Sequence, residues 1–178
     1  MQKDEAHHRV RDRPPPARRA EVSMRWQTDL VATESVWDYP RPPRLEPTTR
    51  EITVTHRGVS IARTTGAFRV LETSHPPAFY LPPADVRTDL LVPTNHHTFC
   101  EFKGVAHYVD LVLPGATVRN VAWYYPDPIE SYEDIAGYFA FYPGRVDECT
   151  VAGEPVTAQA SDFYGGWITS EIIGPFKS

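Results

Sequence analysis

One stretch of the chain concentrates the residue types that move protons, attack electrophiles and bind anions. Ala67 to Asp110 reads AFRVLETSHPPAFYLPPADVRTDLLVPTNHHTFCEFKGVAHYVD, and it holds four of the seven histidines and one of the two cysteines. Glu72 and His75 stand three apart, just before Pro76 and Pro77 force an extended turn. A carboxylate beside an imidazole raises the His pKa and orients its ring, an arrangement suited to general acid/base work. The competing reading has Glu72 capping a turn or pairing with Arg69 or Arg87 while His75 packs against the prolines. If Phe68, Val70 and Glu72 share an inward face, Glu72 is a buried carboxylate in need of a partner, and that favours a site.

Cys100 lies in the run FCEFKG, three residues from Lys103. A cation close to a thiol lowers its pKa and makes it nucleophilic. Strand alternation, however, sets Cys100 and Phe102 on one side and Glu101 and Lys103 on the other. It predicts Cys100 in the core and Lys103 facing away from it. Tyr80, Trp123, Tyr124, Tyr125, Tyr138 and Tyr142 form an aromatic excess, and in strands alternate members must face outward or into a cavity. Amphipathic aromatics around a few polar groups make small-molecule pockets; the same residues also serve in ordinary inter-sheet packing.

These groups must be held by short strands. EITVTH alternates, Arg57-Gly58 turns the chain into VSIART, and GAFRVLET alternates again up to His75. AFYL is a short strand stopped by Pro82-Pro83, and ADVRTDLL reads as a turn or one helical turn. After Pro93 and a polar loop, TFCEF, VAHYVDLVL and TVRNVAWYY read as strands, with Gly115 at a hairpin. Asp127-Pro128 opens the one segment with helical periodicity, predicted as a short helix over 130–136 and a strand over 137–142. RVDECTV and PVTAQA form a last hairpin around Gly153. The pattern predicts a mostly β fold: two antiparallel sheets of short strands, β-tent-like or an open barrel, with one short helix.

Composition narrows the function classes. The 178 residues carry a net charge of −5, 41% hydrophobic residues and 18 prolines. That proline content fits a turn-rich β fold. Residues 1–25 carry seven Lys/Arg against four Asp/Glu, whereas residues 26–178 carry eleven against nineteen. An acidic body is a poor nucleic-acid binder, since affinity there comes from neutralising phosphates. No run approaches the roughly 18 apolar residues of a membrane span, and the basic N-terminus lacks the apolar region of a secretory signal. The expectation is therefore a cytoplasmic protein with reduced, buried cysteines and no nucleic-acid or membrane partner. Residues 1–25 are expected as a mobile basic tail, in which the adjacent His7 and His8 are weak evidence for a metal contact. Residues 26–50, with Trp26, Trp37, Tyr39 and four prolines, are expected as an extended arm, laid over the body or crossing to a second subunit. Residues 51–178 complete the division as a single β-rich domain.

The blocks RVLETSHPPAFYLPPADVRTDLL, TFCEFKGVAHYVDL, VAWYYPDP and IAGYFAFYPGRVDEC occur in one order. In that order they resemble the family named domain of unknown function 427. The lead-in VWDYPRPP and the tail FYGGWITSEIIGPFK are similar to its actinobacterial members, so the resemblance covers roughly residues 35–178. It implies a small fold grouped with the β-tent folds, which include methionine-R-sulfoxide reductase and the thalidomide-binding domain of cereblon. It implies no established activity. A nucleotidyltransferase label sometimes travels with the family, and the sequence lacks both a Gly-rich phosphate loop before a helix and a clustered carboxylate pair. β-Tent relatives often hold a zinc with two CxxC pairs. With only Cys100 and Cys149 here, four-cysteine ligation is ruled out. A set of both cysteines and two histidines, using His96 or His97, has irregular spacing.

The reading these residues support is a pocket between two sheets that binds a small organic ligand. Glu72, His75, Tyr80 and Lys103 supply its polar contacts, and Trp123 and Tyr142 its apolar walls. No cofactor and no metal are expected. Two alternatives stand beside it. One is an enzyme using His75 for acid/base chemistry, assisted by Glu72 or Cys100. The other is a structural module in which the aromatics of the arm and of the FYGGWI tail pair two subunits into a homodimer.

Overall fold

The computed structural model describes residues 32–178; the basic tail over 1–25, His7, His8 and Trp26 lie outside the described residues. In chain order the strands are β1 (Glu34–Ser35), β2 (Arg44–Thr48), β3 (Ile52–His56), β4 (Val59–Thr64), β5 (Ala67–Leu71), β6 (Ala78–Leu81), β7 (Leu91–Cys100) and β8 (Gly104–Leu113). There follow β9 (Ala116–Tyr124), β10 (Phe139–Phe141), β11 (Glu148–Val151), β12 (Glu154–Pro155), β13 (Thr157–Ala158), β14 (Trp167–Ile168) and β15 (Ile172–Ile173). A seven-stranded antiparallel sheet runs β2-β5-β6-β10-β9-β8-β7, and a four-stranded one runs β12-β11-β3-β4. Two small ladders complete the set: β13 pairs antiparallel with β14, and β1 pairs parallel with β15. The fold is mostly β, with several antiparallel sheets that do not close into a barrel.

Turn chemistry sets the registers. Arg57 and Gly58 both take positive φ, 50° and 73°, and join β3 to β4 through a two-residue turn whose twist matches that of the strands. Ala152 and Gly153 (φ 50° and 82°) repeat the device between β11 and β12.

Alternation along the seven-stranded sheet divides its residues between two faces. Phe79 and Leu81 of β6, Val109 and Leu111 of β8 and Phe141 of β10 pack on Ile52, Val54, Ile61, Cys149 and Val151 of the smaller sheet. Each large aliphatic side chain buried there stabilises the fold by about 1.5–3 kcal/mol relative to exposure. The intervening residues Tyr80, Tyr108, Trp123, Ala140 and Tyr142 point to the opposite face and form a second, aromatic cluster. A third cluster of Val36, Tyr39, Leu71 and Ile172 joins residues 36–39 to the C-terminal segment.

Residues 34–50 are built into the sheets. β2 pairs along its length with β5. Arg69 of β5 holds Glu34 at 2.9 Å and Glu46 at 2.5 Å. Tyr39 is buried, whereas Trp37 is more than half exposed and donates its indole N–H to the Pro175 carbonyl at 3.0 Å.

One local expectation is refined and one corrected. The segment predicted as a short helix over 130–136 is 3-10, Glu130–Ile135, broken at Tyr132. The backbone at Tyr132 (φ −124°, ψ 17°) leaves helical geometry and limits the segment to single 3-10 turns. The polar loop expected after Pro93 is strand: β7 starts at Leu91 and runs through Asn95. It lies at the sheet edge, where proline is tolerated, and its register with β8 shifts between Pro93 and His97. Among the described residues no helix is long and apolar enough to cross a membrane.

Candidate functional site

The aromatic face of the seven-stranded sheet is the floor of a cavity of about 400 Å³. A pocket between the two sheets was the expectation. The cavity lies instead on the far side of the larger sheet, because the space between the sheets is filled with aliphatic side chains. β5, β6, β8 and β9 supply Val70, Ala78, Tyr80, Ala106, Tyr108 and Trp123 to the floor, joined by Tyr125 and Tyr142. The β7–β8 hairpin tip, the loop over 72–76 and the segment 159–166 make the walls.

The floor is a fixed aromatic lattice. The Trp123 indole donates its N–H to the Tyr80 hydroxyl at 3.0 Å, with the two rings perpendicular. Trp123 also packs on Tyr142 at 4.6 Å between ring centres. The Tyr142 hydroxyl donates to the Phe163 carbonyl at 3.0 Å, and the Arg145 guanidinium sits 3.9 Å over its ring. Tyr108 shares a 2.9 Å hydrogen bond with Thr98. Burial holds the Tyr80, Tyr125 and Tyr142 phenols protonated, far above their ordinary pKa. They are hydrogen-bonding groups here and not bases.

The wall at 72–76 carries Glu72 and His75. The His75 N–H donates to the Glu72 carbonyl at 3.0 Å, and Ser74 takes a left-handed φ of 72° to make that turn. Glu72 follows Val70 on the cavity side of β5, as its alternation predicts. Its carboxylate stands 3.9 Å from Arg41, not from Arg69 or Arg87. The imidazole partner is Gln159, whose amide nitrogen lies 3.4 Å from His75 Nδ1 and also donates to the Lys177 carbonyl at 2.5 Å. Tyr164 stands edge-on to the His75 ring at 4.5 Å. Burial pushes the His75 pKa below its ordinary value, outweighing the upward pull of Glu72. The expected elevation by a neighbouring carboxylate is thus reversed. Burial favours the neutral imidazole, with Nδ1 facing the Gln159 amide.

At the hairpin tip, Cys100 and Lys103 both border the cavity. Alternation predicts them on opposite sides, but Glu101, Phe102 and Lys103 form the turn between β7 and β8, so the period of two ends at Cys100. Cys100 is half-buried in the aromatic cluster and Cys149 lies between the sheets. A sheet separates the two thiols, which rules out one metal site using both. Among the described residues no group of three or more His, Cys, Asp and Glu side chains is placed to share a metal ion. Lys103 is only 6% exposed. Its ammonium lies 5.7 Å from the Tyr132 ring centre, and its carbonyl accepts from the Ile129 N–H at 3.1 Å.

All seven sequence candidates, Glu72, His75, Tyr80, Cys100, Lys103, Trp123 and Tyr142, line this one cavity. Sequence reasoning did not find Arg41, Tyr108, Gln159, Tyr164 or Lys177. Arg41 bonds Glu101 at 2.9 Å and stacks over Phe102 at 5.3 Å, across the mouth. The one signal for the far wall was Gly165-Gly166 between two aromatics. A Cβ on Gly165 would stand 2.5 Å from the Trp123 ring, and one on Gly166 would stand 2.5 Å from Gln159 Oε1.

Chemically, the arrangement offers a rigid apolar floor, a neutral imidazole, a half-buried thiol and charged groups at one end. The family model described as Domain of unknown function (DUF427) matches residues 44–152. No curated protein matches the chain. The matched span includes the cavity floor and the hairpin tip, while Arg41 and the wall over 159–166 lie outside it.

Proposed function

We propose that this chain, which belongs to the domain of unknown function DUF427 family, binds a small organic ligand on the aromatic face of its larger sheet. One observation carries the reading. Side chains from at least five separate chain segments converge on a single cavity of about 400 Å³ instead of packing it solid. That volume falls in the range of about 300–1,000 Å³ usual for ligand sites, which combine apolar walls with a few placed polar groups. Tyr80, Trp123 and Tyr142 are held by hydrogen bonds to one another or to backbone, so the surface is preorganised and little ordering is required on binding.

A thermal-shift screen of small organic compounds tests this. A ligand present at about 100 times its Kd adds about 2.7 kcal/mol. For a chain of this length that raises Tm by about 5–10 °C. The Ala78→Leu variant, which adds bulk to the cavity floor, is expected to keep its own melting transition and lose most of the ligand shift. Shifts of the same size in the variant would place binding elsewhere.

A reading with His75 as acid or base rests on the same cavity. A neutral imidazole at pH 7 is in the form a general base requires. It predicts that a compound found by the screen is turned over by the wild type and only bound by His75→Asn. An identical fate with both proteins would leave binding alone.

A further inference from the structure

We infer that the ligand is an aromatic monocarboxylate whose carboxylate pairs with Lys103. The inference rests on the cavity being a ligand site and goes on to its chemical class.

Lys103 is the starting point. The Lys103 stem is buried while its ammonium borders the cavity, where an entering anion meets a cation that no carboxylate of the described residues has neutralised. Among the described residues Lys103 has no ion-pair or hydrogen-bond partner for its ammonium. The nearby acids are taken, since Arg41 holds Glu101 at 2.9 Å and faces Glu72 at 3.9 Å. Only the face of the Tyr132 ring lies near, at 5.7 Å. Nor is Lys103 placed by accident of a loose tip. Its carbonyl is fixed by the Ile129 N–H, and Tyr132 is fixed by its hydroxyl bond to the Pro43 carbonyl at 2.7 Å. The following Gly104 takes a φ of 100°, which other residues rarely adopt. The fold thus holds a cation at the end of an aromatic cavity and supplies no anion to it.

Charge balance selects the class. The ionised groups lining the cavity are Arg41, Lys103 and Lys177 against Glu72 and Glu101, with His75 neutral, which leaves one positive charge. A monoanion neutralises it. A phosphate dianion would leave a surplus negative charge beside two carboxylates, and a cationic ligand would add a second unpaired charge. A carboxylate also suits a single ammonium, whereas phosphate sites recruit several donors, commonly Arg forks or a run of backbone N–H groups. The rest of the ligand follows from the walls: Trp123, Tyr142 and Tyr108 offer ring faces and edges to a flat apolar body.

Four probes of one shape test the class: phenylacetate, phenylacetamide, phenethylamine and phenyl phosphate, titrated into the full chain at pH 7 by calorimetry. Phenylacetate is expected to bind at least about tenfold tighter than its amide, which corresponds to about 1.4 kcal/mol, and tighter than the phosphate or the amine. Lys103→Met is expected to erase the preference for acid over amide. Equal binding of acid and amide, tighter binding of phenyl phosphate or the amine, or an acid preference that survives Lys103→Met would each overturn the inference. The comparison in the wild type stands even if the variant does not fold. If none of the four binds but the thermal-shift screen yields neutral compounds blocked by Ala78→Leu, the class is wrong and the binding site stands. If the screen is empty as well, both fall.

Discussion

Gly165→Ala is the sharpest test of how the cavity wall is built. The added carbon would lie 2.5 Å from Cη2 and 2.6 Å from Cζ3 of Trp123, and 3.2 Å from Cδ1 of Tyr142. Carbon atoms in good contact sit about 3.5–4.0 Å apart, so the ring or the 159–166 segment must move by about 1 Å. Trp123 is poorly placed to yield, because its indole N–H is bonded to Tyr80 and its ring packs at a tilt against Tyr142, 4.6 Å between centres. Overpacking of this kind costs about 1–3 kcal/mol, which for this chain length lowers Tm by about 2–12 °C. Gly165 has no left-handed φ, so the cost is steric and not conformational. Gly66→Ala is the control. Its added carbon meets only Thr64 Oγ1, at 3.7 Å, and is expected to change stability by no more than about 0.5 kcal/mol. Both variants are read by calorimetric melting, with tryptophan emission reporting displacement of Trp123. Equal stability of the two variants would refute the close approach of the Gly165 backbone to Trp123.

Further consequences concern single groups. Tyr80→Phe removes the acceptor of a buried indole N–H and is expected to cost about 1–3 kcal/mol in urea unfolding; a loss below about 0.5 kcal/mol would contradict that bond. Burial between the sheets holds the Cys149 thiol protonated, so native protein is expected to release one equivalent quickly in a thiol titration, and Cys100→Ser to release none on that timescale. Two equally fast thiols would refute the placement of Cys149. For His75 the folded pKa lies below its ordinary value of 6.5, so the unfolded chain binds the extra proton first. The stability His75 contributes is present above about pH 6.5 and is lost as the pH falls through its folded pKa. His75→Asn is expected to flatten that part of the Tm-against-pH curve, and an unchanged slope would count against the buried neutral imidazole.

Strand content was legible because turn chemistry and alternation agree. EITVTH-RG-VSIART is a hairpin in sequence and in structure, since Arg57 and Gly58 take the positive φ that a two-residue turn requires. The site was legible as a set of residues but not as a place. Alternation divides Phe79 and Leu81 from Ala78 and Tyr80, yet it does not say which face a second sheet will cover. That choice is made by β3, β4 and β11, which bring Ile52, Ile61 and Val151 to the Phe79 side. Lys103 was misdirected because the alternation was carried past the strand end into a turn. Gln159 and Tyr164 were invisible for another reason: they sit in a segment with no period, brought to His75 by long-range closure across 84 and 89 positions. Pro93 disguised the first half of β7, since an edge strand tolerates what a central one does not.

The most direct test of the ligand site uses two tryptophans as internal probes on opposite faces of one sheet. Trp123 presents its indole N–H to Tyr80 at the cavity, and Trp167 presents its own to the Phe141 carbonyl in the aliphatic layer. Compounds that raise Tm in the screen are titrated into 15N-labelled protein and the indole signals followed. The Trp123 signal is expected to shift with each such compound while that of Trp167 stays in place. Stabilising compounds that leave Trp123 unmoved would contradict a ligand site on this face.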